Sequence, residues 1–287
     1  MSHYTRFRAY QLGECGASFS LSVDDHFTLI EARYNDTNKP HIQWEMDKLD
    51  IKRIDVLHIT SWDKDHCQYD ELQNILTELE PKRIEYPCYC PHTTNGKNCL
   101  NAIRKYRNVF GHEATPISPF IVNTEKQRCM GIDVFYNPIQ LVDKSNDNSV
   151  VKFFRVGSFQ ILSLGDCESE EIRDRLMKDE ILTNEVDVLI LAHHGADNGF
   201  TTLEFLKVLS PKVAICAADY DNKYDHPDSV VIGRLYNANI DYYSTKTGDV
   251  IAQSIDKYKF KVSNYISNSE KKDSERKYSN KTWYIND

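Results

Sequence analysis

The chain has 287 residues and a formal net charge of −8, with 40% hydrophobic and 11% aromatic residues. That is enough for one large domain or two small ones, folded around a substantial core. The acidic balance argues against a broadly basic coat for nucleic acid, though not against a local basic groove. No apolar run reaches the roughly 20 residues of a membrane span, and residues 1–10 lack a signal peptide's apolar core, so the cytoplasm is the expected location.

The N-terminal part reads as strands. "RFRAYQLG", "ASFSLSV" and "FTLIEARY" alternate by about two and are rich in β-formers, with turns at Gly13, Gly16 and the stretch "VDD". "HIQWEMDKLD" reads as a short helix. "RIDVLHIT" is a near-continuous apolar run, the pattern of a strand buried on both faces. "YDELQNILTELE" then sets Leu72, Ile75, Leu76 and Leu79 on one helical face. Between these two elements lies "TSWDKDHC", residues 60–67, a strand-to-helix loop of the kind where ligands collect in open α/β architectures.

Further on, "KRIEYP" predicts a strand, "CYCPHTTNGKNC" a loop and "LNAIRKYRNVF" a helix. "VVKFFRV" and "FQILSLG" predict a hairpin turning at Gly157, and "EEIRDRLMKDEIL" one helix. "VDVLILA" is a second fully apolar strand. "LEFLKVL" and "SVVIGRLYNA" are helices around the strand "KVAICAA", and "DVIAQSI" and "YKFKVS" are closing strands. Helices and strands alternate, with antiparallel strands towards both ends, so the class is mixed α/β. Residues 1–264 read as one domain and 265–287 as a polar C-terminal extension, flexible or lying on the surface.

Three apolar strands end in groups that carry chemistry. The first is followed by Asp63, Asp65 and His66, the second by Asp166, the third by His193 and His194; a further loop, "NKYDHPD", offers His226. Each alone has an ordinary explanation. Asp63 or Asp65 could cap the helix after Cys67, Asp166 could cap "EEIRDRL", and His226 could be a turn residue before a proline. Together, in this order, they form a metal-site pattern: clustered carboxylates repel unless a cation lies between them, and charge at the edge of a core is costly. Cys88, Cys90, His92 and Cys99 form a second cluster whose spacing matches no standard zinc module, and reduced thiols are the expected state of all eight cysteines.

These motifs resemble the metallo-β-lactamase superfamily, and within it the ComEC-like branch of soluble hydrolases. "SWDKDH" is similar to the branch's His-x-Asp-x-Asp-His, with Ser61 in the first place. "NDNSVVKFF…FQILSLGD" is similar to its Asn-Asp-x-Ser segment, hairpin and Gly-Asp; "VDVLILAHHGA" resembles its His-His-Gly strand end, and "NKYDHP" its Asn-x-Tyr-x-His-Pro loop. The resemblance covers residues 7 to about 255 and is weak from 85 to 130. It departs at Ser61 and at "EAR", Glu31 to Arg33, where the superfamily has Asp-x-Gly.

The resemblance implies an α/β fold, a four-layer αβ/βα sandwich with mixed sheets. It implies a metal-dependent phosphodiesterase, a nuclease acting on DNA through metal-activated water. A hydrolase of a small nucleotide or other small ester is one alternative, and a degenerate fold serving as a partner-binding module is another. The expected metal ligands are Asp63, Asp65, His66, Asp166, His193 and His194, holding one or two ions of manganese, magnesium or zinc. Because serine is a poor zinc ligand and the remaining set is rich in oxygen, a harder ion is favoured, or a first position that has been emptied. Asp65 and His226 are the expected catalytic residues, and Asn148, Ser149, Lys64 and Lys223 the substrate-binding ones. The expected partners are nucleic acid or a nucleotide as substrate, with an ATPase or sensor protein alongside, and no membrane.

Overall fold

The structure is a computed structural model that describes residues 3–110, 113–116, 134–138, 140–269 and 271–281. Among these, fifteen strands form two sheets. The first sheet has the order β15-β14-β13-β1-β2-β3-β4-β5-β6 and the second β12-β11-β10-β9-β8-β7.

In the first sheet, β1 (Thr5–Ala9), β2 (Phe19–Val23) and β3 (His26–Ile30) form an antiparallel meander, flanked by β13 (Val250–Ser254) and β14 (Lys259–Tyr265). From β3 onwards it turns parallel through β4 (Val56–His58), β5 (Arg83–Tyr86) and β6 (Glu113–Pro116). The crossovers are α1 (Lys39–Lys48), α2 (Tyr69–Asn74, running on as a π-helical turn through Leu79) and α3 (Thr94–Phe110). The second sheet opens with an antiparallel β7 (Val134–Tyr136), β8 (Val151–Phe154) and β9 (Ile161–Ser163). It continues in parallel through β10 (Val188–Ile190), β11 (Val213–Cys216) and β12 (Asp241–Ser244). Its crossovers are α4 (Glu170–Leu176) with α5 (Glu180–Glu185), then α6 (Leu203–Leu209) and α7 (Ser229–Asn237).

Three buried clusters separate the layers. Leu57, Ile59, Leu72, Ile75 and Ile103 pack the first sheet against α1, α2 and α3. Leu162, Leu189, Phe205, Leu206 and Leu235 pack the second sheet against its helices. Between the sheets lie Phe7, Phe19, Phe159, Phe260, Ile190 and Ile215, with Phe159 stacked on Phe260 at 4.9 Å. The result is helix, sheet, sheet, helix: the four-layer αβ/βα sandwich that the motifs imply. Each fully buried phenylalanine contributes about 1.5–3 kcal/mol by leaving water.

Several elements differ from the sequence reading. "EEIRDRLMKDEIL" is two helices, because the Asp179 side chain accepts from the backbone N–H groups of Ile181 and Leu182 and starts a new one. The cysteine-rich loop is shorter than expected, since α3 begins at Thr94 and Cys99 lies on it. The segment read as a flexible or surface extension supplies β15 (Lys272–Ser279), an exposed edge strand registered antiparallel on β14. After it, Asn280 and Lys281 dock beneath the second sheet: the Lys281 N–H donates to the buried Asp187, and its ammonium to the carbonyls of Thr183 and Leu209. Residues 282–287 and Cys129 lie outside the described residues.

Candidate metal centre

The parallel strands direct four loops to one end of the sandwich. Residues 60–67 follow β4 of the first sheet, while 164–168, 191–195 and 217–228 follow β9, β10 and β11 of the second. This is the crevice at the carboxyl ends of strands where α/β folds hold ligands.

The first loop is a tight turn. The Asp63 carbonyl accepts from the N–H groups of His66 (3.0 Å) and Cys67 (2.8 Å), and the Asp63 N–H donates to Ser61 Oγ at 3.1 Å. Ser61 therefore builds the turn. The chain beyond it is tied to the end of β3, where the Ala32 N–H donates to the His66 carbonyl at 2.7 Å. The Asp65 carbonyl accepts from the Ala17 N–H (3.0 Å) and from the buried Arg33 guanidinium (3.2 Å), which also pairs with Glu14 and Glu71. Gly16 makes this approach feasible: at its φ of +140° a Cβ would stand 2.0 Å from Arg33 Nη1 and 2.5 Å from the Asp65 carbonyl oxygen.

Capping does not account for the carboxylates. Helix α2 is capped by Gln68, whose side chain accepts from the Glu71 N–H, and α4 by Ser169, which accepts from the Ile172 N–H. Asp63, Asp65 and Asp166 are left to other work.

The second sheet brings Asp166 and His194 to the same point. The His193 N–H donates to the Gly165 carbonyl at 3.0 Å, locking the two loops together. His193 and His194 both have left-handed backbone, φ 45° and 53°, a conformation that side chains other than glycine rarely adopt without tertiary support. His194 Nδ1 lies 2.7 Å from the Ala217 carbonyl. A carbonyl only accepts, so Nδ1 carries a proton and Nε2 is the atom left to face the carboxylates or a cation.

Asp65, His66, Asp166 and His194 converge. One ligand atom from each lies within 4.8 Å of all the others. His66 Nε2 is 3.0 Å from Asp166 Oδ2; His194 Nε2 is 3.5 Å from Asp65 Oδ2 and 3.8 Å from Asp166 Oδ1. Behind His66 stands Glu31, whose Oε1 is 3.2 Å from His66 Nδ1. Glu31 is itself held by the Thr60 N–H at 3.0 Å and the Thr60 hydroxyl. A carboxylate behind a ligating imidazole fixes its ring and tautomer, the arrangement common around protein metals.

The electrostatics call for a cation. Burial alone would lower the pKa of His66, but the carboxylates of Asp166, Glu31 and Asp65 outweigh it and hold the imidazole well above its ordinary value. The same balance raises His194, chiefly through Asp166 and Asp65 against burial. Asp65 and Asp166 are lowered, their two histidines overcoming burial. The carboxylates thus favour positive charge at this point. The Nε2 atoms of His66 and His194 are buried and face only the carboxylates of Asp166 and Asp65, which complete the set. Two imidazoles and two carboxylates fit a divalent ion such as zinc or manganese.

Other expected residues lie around this group. Asp63 stands outside it, with Ser145 Oγ 3.4 Å from its carboxylate; its pKa is raised, first by burial and then by Asp65 and Asp166. The His193 ring is also outside. Its Nδ1 is 2.6 Å from Glu168, and Asn146 Nδ2 donates to the same carboxylate at 2.7 Å. The His226 ring lies 5.7 Å from His193, and burial lowers its pKa, helped by His193 and His194. Asn148 braces its own loop, donating to the carbonyls of Val142 and Ser145, while Ser149 is buried against Gly165. Lys64 and Lys223 are exposed, Lys223 with its ammonium 4.5 Å over the Tyr224 ring. Among the described residues the cysteine cluster forms no metal-capable group: Cys90 is exposed while Cys99 is buried.

Sequence reasoning missed Glu31, Arg33, Asn146 and Glu168. Glu31 and Arg33 stood out only as a departure from Asp-x-Gly. Glu168, two residues after Asp166, offered the one other signal.

No protein-family model matches the chain. It is 27% identical to ComE operon protein 3 of Bacillus subtilis (strain 168) over 192 residues, 66% of this chain and 23% of that protein. The match thus spans under a quarter of that relative. Among solved structures, a mutant of CmlA β-hydroxylase superimposes with a TM-score of 0.52 at 10% identity, over 88% of this chain and 54% of that one. Igni18, described as a metallo hydrolase from the archaeon Ignicoccus hospitalis KIN4/I, gives 0.48 at 14% identity over 86% and 98%. Tm1679, described as a metal-dependent hydrolase of the β-lactamase superfamily, gives 0.47 at 12% identity over 85% and 98%. The chain has a four-layer αβ/βα fold, and its sequence resembles the metallo-β-lactamase superfamily and within it the ComEC-like branch.

Proposed function

We propose that this chain is a metal-dependent phosphodiesterase, a nuclease acting on DNA. The observation that carries the reading is the convergence of Asp65, His66, Asp166 and His194, with two buried imidazole Nε2 atoms turned towards two carboxylates. The choice of DNA rests on the sequence resemblance to the ComEC-like branch. A divalent ion in this group supplies Lewis acidity, lowering the pKa of water and offsetting charge on phosphoryl oxygens.

The chain's own residues set the geometry. Glu31 and the Ala217 carbonyl each hold one imidazole with Nε2 facing inward. Arg33 and Gly16 fix the backbone at Asp65. His226, its pKa lowered by burial and by His193 and His194, lies 5.7 Å ring to ring from His193 and would donate a hydrogen bond to a phosphate oxygen. The acidic net charge accords with substrate held at one cationic point rather than along a basic surface.

Elemental analysis of the purified protein, followed by digestion of single- and double-stranded oligonucleotides with manganese and with zinc, tests the proposal. Retained metal and strand cleavage that Asp166→Ala abolishes is the expected result. Hydrolysis confined to a small nucleotide diester would move the reading to that alternative. A folded protein that retains no metal and cleaves nothing would leave the partner-binding module.

A further inference from the structure

Beside the metal group the loop after β11 carries two aromatic rings into solvent. Tyr220 is 67% and Tyr224 61% exposed. The Tyr224 ring lies nearly parallel to the His226 imidazole, at 5.6 Å and 20°. His226 in turn lies 5.7 Å from His193, and His193 is 6.1 Å from the candidate ligand His194. A line of rings therefore runs from the metal group to the surface and ends in Tyr224.

The loop is held in place by its own residues. Asn222 Oδ1 accepts from the His226 N–H at 2.7 Å, and Asn222 Nδ2 donates to the carbonyls of Asp219 (2.8 Å) and His226 (2.9 Å). The Asp228 N–H donates to the Gly195 carbonyl at 3.0 Å, fastening the loop to the turn that carries His194. An exposed ring fixed in this way loses little freedom when something flat settles on it. The fully exposed Lys223, its ammonium 4.5 Å over the same ring, must swing aside for a base to stack there and then offers a cation to the phosphate backbone.

We propose that Tyr224 is a stacking platform for a base of the substrate that flanks the phosphate at the metal group. This rests on the phosphodiesterase reading and narrows it. A flat ring binds any base by its π-face without reading sequence, and a base within a duplex is already stacked. Tyr224 is thus a positioning and specificity residue that favours single strands; it takes no part in bond cleavage.

Binding of two 5′-labelled strands of equal length by the manganese-loaded protein, read by fluorescence anisotropy, tests this. One strand is oligothymidylate and the other a base-free sugar-phosphate chain, both with phosphorothioate linkages to slow cleavage. Tyr224→Ala is expected to weaken binding of the base-carrying strand by about 10- to 100-fold and to leave the base-free strand unchanged, with Tyr224→Phe restoring affinity. Wild-type affinity of Tyr224→Ala for oligothymidylate, or an equal loss on both strands, overturns the platform. If the wild type cleaves DNA in either case, the functional reading survives that result. A wild type that neither binds nor cleaves either strand overturns both.

Discussion

The sharpest test of the metal group compares two aspartates close together in space but different in surroundings. Asp166 is buried, with carboxylate oxygens 3.0 Å from His66 Nε2 and 3.8 Å from His194 Nε2. Asp166→Ala removes one of four converging ligands. If an ion there lowers the pKa of water from 15.7 towards about 7, each unit lost on weakening the site costs 1.36 kcal/mol, so two units give about a 100-fold slower reaction. Asp63 does different work. The turn uses its backbone carbonyl and N–H, which alanine retains, and its carboxylate contacts Ser145 at 3.4 Å. Its pKa is raised first by burial, so Asp63→Ala removes a partly desolvated charge and should change the rate by no more than about fivefold, about 1 kcal/mol. Cleavage of a labelled single-stranded oligonucleotide and metal content are measured for both variants, with circular dichroism to confirm folding. A slow, metal-poor Asp166→Ala beside a nearly normal Asp63→Ala is the expected outcome. Equal collapse of both would refute the reasoning, because the ion would then need Asp63 and the pair of positions would be intact. Unchanged activity in both would remove the group from the mechanism.

Other consequences follow from the same contacts. Glu31→Gln should weaken metal affinity by about 10- to 100-fold, measured by chelator competition, since a neutral amide no longer supports His66 Nδ1 as the carboxylate does; unaltered affinity would show that Glu31 serves only Thr60. Ser61→His should add a zinc-preferring ligand to the neighbouring position and raise the zinc content above that of the wild type by elemental analysis, although it removes the hydroxyl that accepts from Asp63. Burial pushes the Asp187 carboxyl up to about 6, against the N–H donors of Lys281 and Gln160. An acid raised in the folded state contributes stability below its unfolded pKa and loses it as pH rises through the folded one. Relative to Asp187→Asn, the wild type should therefore lose up to about 3 kcal/mol between pH 4 and pH 6 in urea denaturation, and a pH-independent difference would refute this.

The parts of this protein legible in its sequence are those fixed by local pattern. Strands β4 and β10 stood out because both faces are buried, which leaves an unbroken apolar run. The loops behind them could be placed because a strand must end before its polar residues begin. What could not be read depends on partners distant in the chain. Residues 272–279 carry only charged and polar side chains apart from Tyr278, and form a strand only because β14 offers its edge in register. Of the adjacent His193 and His194, both reach the site loop, but packing decides which imidazole faces the carboxylates. The Ala217 carbonyl, 23 residues on, turns His194 inward, while Glu168 holds His193 aside. Glu31 shows in the sequence only as a departure from Asp-x-Gly, and its role does not, since its Thr60 donors lie 29 residues away.

Ser61 shows how a motif position can keep a role after losing its ligand. In the resemblance it stands where a histidine would reach a metal. In the structure its hydroxyl accepts from the Asp63 N–H, and that turn delivers Asp65 and His66 to the group. A histidine at this position could donate an imidazole but would not offer the short-range acceptor that closes the turn. The four converging residues all belong to the other half of the pattern: Asp65 and His66 from the first sheet, Asp166 and His194 from the second. The serine therefore stands outside the group and shapes the loop that completes it.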